Sequence, residues 1–219
     1  SLIAGYSDFP YHWGAACVWF ARKDRLLTGA EIQAGDAVVV LQENGFRANG
    51  WSLVRKIFRD VHGEEWHTTP HAGSTLGLLA LTPSVIYSRC VVPMYGGFDG
   101  EGMCTIHGIA HITGGGVPEK MGRVLRPSGL GARLPNLFEP PAIVQYCQRA
   151  GDISDHDAYQ AWNMGQGLAI ITPEPDEVMR QAEQHGIHAR LAGEIIPEPE
   201  IELTSRGSQE SGKTLRFAV

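Results

Sequence analysis

The residues that suggest chemistry most directly are three consecutive glycines, Gly114 to Gly116, between a short apolar stretch and a predicted helix. Pro118 and Glu119 suit the first turn of that helix, where a proline and an acid are both favoured. A strand, a glycine loop and a helix start leave backbone N–H groups free to bind an anion, most often a phosphate. Thr113 adds a hydroxyl donor, and His111 adds an imidazole that titrates near neutral pH. The pattern predicts a phosphate-binding loop, whereas the three glycines alone are more typical of a flexible connection.

A second glycine-bearing loop, residues 42–50, follows the apolar run DAVVVL. Apolar residues at helical spacing then predict a helix that begins at Trp51, with Asn49 as its N-cap. This loop therefore delivers a second helix N-terminus and a second possible anion site. Its candidate phosphate-binding residues are Arg47, Asn49, Gly50, Ser52 and Arg55, although a helix arginine such as Arg55 is more often a surface charge.

The elements that must position these loops can be predicted from periodicity and from turn residues. Strands and helices alternate without the strict regularity of a dinucleotide fold, and residues 202–217 predict a terminal hairpin. Residues 62–82 are expected to be loose. We expect one α+β domain over residues 1–219, with a mixed β-sheet covered by helices. The predicted strands are 14–23, 36–41, 108–112, 129–134, 168–172 and 187–196, and the predicted helices begin at Trp51, Val117, Pro140, Asp152 and Pro173.

Composition excludes several classes of function. The net charge of −6 and the lack of a long basic stripe argue against nucleic acid or a membrane surface as a partner. The sequence contains no run of eighteen apolar residues, so no transmembrane helix is predicted. The four cysteines are widely spaced, which is typical of buried thiols in a reducing cytoplasm. His67 and His71 do not form a helical zinc motif because Pro70 lies between them, so no metal site is predicted.

Four segments, in the same order, resemble the aminoimidazole ribonucleotide synthetase family, also called phosphoribosylformylglycinamidine cyclo-ligase. They are HITGGG with the Pro-Glu and Gly-Arg-Val-Leu that follow, NGWSLVR at 49–55, TPSVIY at 82–87 and WNMGQG at 162–167. The resemblance runs from about residue 14 to 194 and covers the family's C-terminal domain. It implies a PurM-like α+β fold. It also makes Asn163 a binding candidate, although a structural role in the turn is favoured.

The second loop departs from the pattern of this family. Arg47 stands where the family has histidine, Ala48 where it has serine, and Glu43 and Asn44 where it has paired serines. An arginine can hold a phosphate through several donors, but it cannot exchange protons near neutral pH as a histidine can. These changes are compatible with binding and favour a divergence in activity.

The resemblance implies an ATP-dependent ring closure of formylglycinamidine ribonucleotide to aminoimidazole ribonucleotide in purine biosynthesis. It implies ATP and Mg²⁺ as cofactors, with most of their ligands in an N-terminal domain that this sequence lacks. The chain would then supply the substrate-binding half and bind a ribonucleotide monophosphate. His111 would be its catalytic residue, acting in proton transfer. The resemblance also implies a homodimer in the full-length protein and a cytoplasmic location.

Two other interpretations remain open. The chain could belong to a sister branch that phosphorylates thiamine phosphate, selenide or an amide, although HITGGG and NMGQG argue against this. It could instead be a non-catalytic module that binds a phosphometabolite, which the changes at Arg47 and Ala48 favour.

The predicted phosphate loop makes binding of a ribonucleotide monophosphate measurable by calorimetric titration of this chain. We expect the ribonucleotide to bind and ATP not to bind, and we expect Gly115→Val to abolish ribonucleotide binding because a side chain blocks the backbone donors. Ribonucleotide binding that survives Gly115→Val would contradict a site on this loop.

Overall fold

The computed structural model describes residues 16–219, which build a seven-stranded mixed sheet with helices on both faces. Its strand order is β4-β6-β1-β7-β5-β8-β9, and neighbouring strands are antiparallel except for the parallel pair β5 and β8. A separate two-stranded hairpin joins β2 and β3. The strands are β1 Ala37–Gln42, β2 Pro70–His71, β3 Ser74–Thr75, β4 Gly108–His111, β5 Gly131–Leu134, β6 Gln166–Thr172, β7 Ala189–Ile196, β8 Glu200–Thr204 and β9 Thr214–Ala218.

The helices divide between the two faces of the sheet, and this confirms the expected α+β architecture. One face carries α1, α4, α5 and α6, whereas α3 and α7 cover the other. No helix within residues 16–219 combines the length and apolar character needed to cross a membrane. The helices are α1 Trp51–His62, α2 Leu76–Ala80, α3 Ser88–Tyr95, α4 Gly116–Leu125, α5 Ala142–Ala150, α6 Asp155–Ala161 and α7 Pro175–Gln184.

Strand β1 lies inside the sheet, between β6 and β7, as its continuous apolar run predicts. Because successive side chains point to opposite faces, Val38 and Val40 join one core, and Val39 and Leu41 join the other. All four side chains are buried. The end of β1 is thereby fixed next to β6, and this fixes where the loop after β1 begins.

The predicted N-terminal strand is wrong where the structure describes it. Residues 16–22 form no regular structure and a short 3₁₀ turn follows at Lys23–Arg25, while residues 14 and 15 of this prediction lie outside the described part. Val18, Trp19 and Phe20 are exposed, at 97%, 73% and 80%. Their β propensity has no neighbouring strand or core to act on, and propensity without packing does not make a strand.

Two further local predictions are wrong. The N-cap of α1 is Gly50, in the left-handed region with φ 68°, and no side chain caps this helix, so Asn49 does not have the predicted role. The segment 62–82, expected to be loose, contains a 3₁₀ turn, the hairpin β2–β3 and α2. Thr75 caps α2 by accepting a hydrogen bond from the Leu78 N–H. The terminal hairpin is confirmed as β8 and β9.

A buried carboxylate, Asp155 at the start of α6, joins this helix to the C-terminal hairpin. It accepts hydrogen bonds from the Ser205 hydroxyl, the Gln148 amide and the backbone N–H groups of Gln209 and Glu210. Burial acts to raise the pKa of Asp155, but the four donors outweigh it and the pKa lies below its usual range. Asp155 therefore contributes stability above its ordinary pKa, and this stability is lost as pH falls through the lowered value.

We expect Asp155→Ala to lower the free energy of unfolding by about 3 kcal/mol at pH 7, because it leaves buried donors without an acceptor. Urea unfolding measures this change, and the difference from the wild type should shrink as the solution becomes acidic enough to protonate Asp155. Gln160→Ala, at an exposed position of the same helix, is the control and should stay within about 0.5 kcal/mol. Equal effects of the two substitutions would contradict the assignment.

Candidate functional site

The fold brings the two predicted loops together at one edge of the sheet. Strand β6 separates β1 from the edge strand β4, and residues of the loops after β1 and β4 meet across its end. The guanidinium of Arg47 donates to Nε2 of His111 and, over 2.9 Å, to the carbonyl oxygen of Gly167. A Cβ placed on Gly114 would lie 3.8 Å from Nδ2 of Asn49. Residues that are more than sixty positions apart in sequence are therefore neighbours here, although Gly115 lines a cavity of about 680 Å³ that shares no lining residue with the cavity at His111.

The glycine loop has the conformation that glycine permits. Gly115 and Gly116 have φ of 91° and 63°, and Gly116 approaches the carbonyl oxygen of Tyr159 so closely that a Cβ would lie 1.8 Å from it. The Gly116 N–H donates to the Thr113 carbonyl. Within residues 16–219, three further N–H groups at this helix start, those of Gly114, Gly115 and Val117, donate no hydrogen bond to a backbone acceptor. The loop thus keeps the free donors that an anion site needs.

Gly50 links the second loop to the core. A Cβ at this position would lie 2.5 Å from the indole ring of Trp162, so the close approach requires glycine as much as the positive φ does. The neighbouring Trp51 turns its indole N–H back onto the carbonyl oxygen of Arg47 over 2.9 Å. The loop between Arg47 and Gly50 is therefore held at both ends.

Beneath this loop lies a buried carboxylate, Glu43, which is 1% exposed. Its Oε1 accepts from the backbone N–H groups of Asn44 and Val85, and its Oε2 accepts from the Tyr87 hydroxyl and lies 3.4 Å from Nη1 of Arg47. Burial and the nearby Glu43 charge raise the pKa of Tyr87, which stays a neutral donor. The charge of Glu43 is thus matched by Arg47 and by three hydrogen-bond donors.

Arg47 itself has φ 63°, a left-handed conformation that costs a non-glycine residue about 1 kcal/mol or more. Its side chain is only 11% exposed, and its guanidinium lies 5.6 Å from the centre of the Tyr87 ring. The contacts with Glu43, Gly167 and His111 offset this cost. Strain maintained in this way is typical of functional sites.

His111 is exposed at the end of β4 and lines an open cavity of about 520 Å³. Desolvation, and then the charge of Arg47, lower the pKa of His111 below its ordinary value. The ring is therefore neutral at pH 7. Apart from Arg47 and Ser84, most of the cavity wall is apolar, formed by Val85, Ile86, Val91, Val92 and Leu168.

Two candidates of the second loop lie elsewhere. Ser52 and Arg55 are exposed on α1 and line a separate shallow cavity of about 320 Å³ with Lys56, Arg59 and Asp60. This cavity is basic apart from Asp60, but it does not share a lining residue with the cavity at His111. The role of Ser52 and Arg55 in phosphate binding stays a prediction.

Asn163 has the structural position that the sequence favours. Its side chain is buried, donates to the carbonyl oxygen of Gly45 over 2.8 Å and accepts from the Gly165 N–H over 2.8 Å. The Glu43 N–H donates to the Gly165 carbonyl over 2.9 Å. Asn163 thus ties the turn before β6 to the loop that carries Arg47, and both polar atoms of its side chain take part in these contacts.

Sequence reasoning did not include Glu43 or Tyr87 among the site residues. A signal was present, because Glu43 and Arg47 have opposite charges and are four residues apart. The partnership with Tyr87 had no sequence signal, since 44 residues separate it from Glu43.

The site offers donors for an anion but no ligand set for a divalent cation. Within residues 16–219, no group of three or more His, Cys, Asp or Glu side chains is arranged to hold a metal ion. A Mg²⁺–nucleotide site needs carboxylates beside the phosphates. The described residues therefore fit a phosphate group and do not fit Mg²⁺.

The fold and the site together define a class, an α+β domain in which a strand, a glycine loop and a helix start present free backbone donors. Residues 33–206 match the family described as "AIR synthase related protein, C-terminal domain". The chain belongs to this family.

Two relatives with curated names are similar to most of this chain. The chain is 34% identical over 195 residues to a phosphoribosylformylglycinamidine cyclo-ligase of Picosynechococcus sp., and 36% identical over 195 residues to the enzyme so named in Gloeothece citriformis. Each alignment covers 87% of this chain and 55% of the relative. The chain thus spans about half the length of the curated relatives it matches.

Solved structures share the fold at low sequence identity. Thiamine-monophosphate kinase from Stenotrophomonas maltophilia has a TM-score of 0.53 at 11% identity, covering 84% of this chain and 53% of that one. T. maritima PurL complexed with ATP has a TM-score of 0.51 at 14% identity, covering 90% and 27%. These similarities confirm the expected PurM-like architecture.

We expect Glu43→Ala to lower the free energy of unfolding by about 3 kcal/mol, because it leaves Arg47 buried without its counter-charge. Chemical denaturation measures the loss. Glu64→Ala is the matched control, since Glu64 forms an exposed ion pair with Arg59 and its removal should cost less than about 1 kcal/mol. A Glu43→Ala protein as stable as the control would show that the buried pair is not needed.

Proposed function

We propose that this chain is the C-terminal, substrate-binding half of an ATP-dependent cyclo-ligase that converts formylglycinamidine ribonucleotide to aminoimidazole ribonucleotide. The observation that carries the proposal is the convergence of the 42–50 loop and the 111–116 loop at one edge of the sheet. Membership of the family and the names of the curated relatives support it. In this proposal residues 1–219 form a single C-terminal domain in a cytoplasmic enzyme of purine biosynthesis. The N-terminal half or a partner subunit completes the site, and the full-length protein is a homodimer.

The chain's own share of the reaction is positioning. The free N–H groups of Gly114, Gly115 and Val117 bind the phosphate of the ribonucleotide, and the hydroxyl of Thr113 can add a donor. Each charge-assisted contact is worth about 1.5–3 kcal/mol. His111, at the end of β4 and three positions before Gly114, then faces the reacting end of the substrate. ATP, when bound by the complete enzyme, supplies the phosphoryl group that activates the formyl oxygen for ring closure.

Fixing the substrate in this way lowers the barrier mainly through orientation. A substrate held at its phosphate has its formyl oxygen and its ring-forming nitrogen in defined positions. The entropic cost of orienting the reacting atoms is then met on binding and not in the chemical step. The apolar wall beside His111 limits the access of water to that place.

A second candidate function is supported by a specific observation. Arg47 is committed to Glu43, Gly167 and His111, so the loop has exchanged a titratable family residue for a fixed ion pair. This favours a divergent member that binds a phosphometabolite but does not perform the family's reaction.

Gly114 is the best position to test the phosphate loop. It has no positive φ, and a Cβ there would meet nothing closer than Asn49 at 3.8 Å, whereas one on Gly115 would overlap the Glu119 side chain. Gly114→Val should therefore preserve the fold and fill the space above the free N–H groups. In calorimetric titrations with adenosine monophosphate, we expect it to weaken binding at least tenfold, since one lost charge-assisted contact has that effect.

The matched control is Gly122→Ala, inside the helix α4 that follows the loop, where a Cβ meets Val219 at an ordinary 3.5 Å. We expect it to bind as the wild type does. Binding unaffected by Gly114→Val would exclude the phosphate loop. Assay of the full-length protein on formylglycinamidine ribonucleotide separates the cyclo-ligase from the non-catalytic alternative.

A further inference from the structure

We propose that Arg47 is a positioning residue that locks His111 in its Nδ1-protonated tautomer, so that His111 offers an N–H donor to a substrate oxygen and does not act as a base. The chemical class recognised is a carbonyl or phosphoryl oxygen that gains negative charge. The assignment to a substrate oxygen rests on the proposed function, whereas the tautomer is a property of the chain itself.

The tautomer follows from the hydrogen-bond capacity of the two side chains. An arginine guanidinium carries only donors, and in a protein it stays protonated. Its Nη2 contacts Nε2 of His111, so Nε2 must be the acceptor. A neutral imidazole that accepts at one nitrogen carries its proton on the other. The proton of His111 is therefore on Nδ1.

Arg47 can fix the ring because it is itself fixed. Its Nη1 donates to the Gly167 carbonyl and faces the buried Glu43 carboxylate, and the Trp51 indole holds its carbonyl oxygen. Its side chain is 11% exposed and that of Glu43 is 0% exposed. A guanidinium confined on these sides has little freedom to leave His111.

Desolvation and the charge of Arg47 oppose the protonation of His111. From the loop after β1 comes the positive charge of Arg47, with Glu43 behind that charge. From the segment before α3 comes Tyr87, a neutral hydroxyl that donates to Glu43 and to the Gln42 carbonyl. A second histidine near β4, His107, lies four residues before His111 and pairs with Asp36. A second proton on Nε2 would face the Arg47 donor directly.

The consequence is a restricted chemical role. With Nε2 occupied by Arg47, His111 has no free lone pair with which to abstract a proton, so the proton-transfer role predicted from sequence is replaced by donation from Nδ1. A neutral N–H donor beside an apolar wall stabilises a substrate oxygen as that oxygen gains negative charge. The donor does this without carrying a full positive charge itself. Removing such a donor typically costs about 10²–10³-fold in rate.

The tautomer can be measured without substrate, by ¹⁵N nuclear magnetic resonance of the histidine rings of the full chain across pH. His111→Gln assigns the signal. We expect Nδ1 protonated and Nε2 unprotonated at pH 7, with a titration that moves to higher pH in Arg47→Met. Arg47→Lys retains a donor and should restore the tautomer in part. Arg59→Met, at an exposed position of α1, should change nothing, and the signals of His62 and His107 report that the fold is intact.

Because Arg47→Met leaves Glu43 unpaired and can unfold the chain, the double variant Glu43→Gln with Arg47→Met provides a neutral replacement. A wild-type His111 protonated on Nε2, or one that titrates identically in the folded double variant, would overturn the proposal. Adenosine monophosphate is then added to the wild type. If the tautomer is as proposed but the His111 Nδ1 signal does not respond to adenosine monophosphate, the result counts against the proposed function and not against the tautomer.

Discussion

The ion pair between the buried Glu43 and Arg47 is the interaction on which the site depends. It joins the loop after β1 to β4 through His111 and to β6 through the Gly167 carbonyl. A carboxylate buried at this depth needs its charge matched, and Arg47, Tyr87 and two backbone N–H groups match it. The left-handed conformation of Arg47 is maintained by the same contacts. Among the described residues, the hydrogen bond from Arg47 to His111 is the polar contact that joins the two loops, and the ion pair holds Arg47 in place to make it.

The glycine positions near the site differ in what they require. Gly116 and Gly50 allow backbone or indole atoms to approach within distances that exclude a Cβ. Gly114 has open space, so its importance lies in the ligand that would occupy that space. Asn163 adds a third kind of contribution, because its buried amide sets the position of the turn that leads into β6. Rigid support and an open, donor-lined surface are thus divided between neighbouring residues.

Much of the fold could be predicted from the sequence. The helices that begin near Trp51, Val117 and Pro173, the central strand β1 and the terminal hairpin follow from apolar periodicity and turn residues. The absence of the predicted N-terminal strand could not be foreseen from the sequence, because β propensity produces a strand only where a neighbouring strand exists. The N-cap of α1 was misplaced for a similar reason, since the contact with Trp162 selects glycine at position 50.

The sequence by itself determined the family, the α+β architecture and the two loops with donor-rich helix starts, because these depend on residues close together in the chain. Only the tertiary structure decided that Arg47 meets His111, that Glu43 and Tyr87 support Arg47, and that Asn163 is used internally. Apart from the Glu43–Arg47 pair, which is four positions apart, these contacts link residues 44 to 118 positions apart. Local pattern fixes which groups a segment presents, whereas sheet order fixes which of them meet.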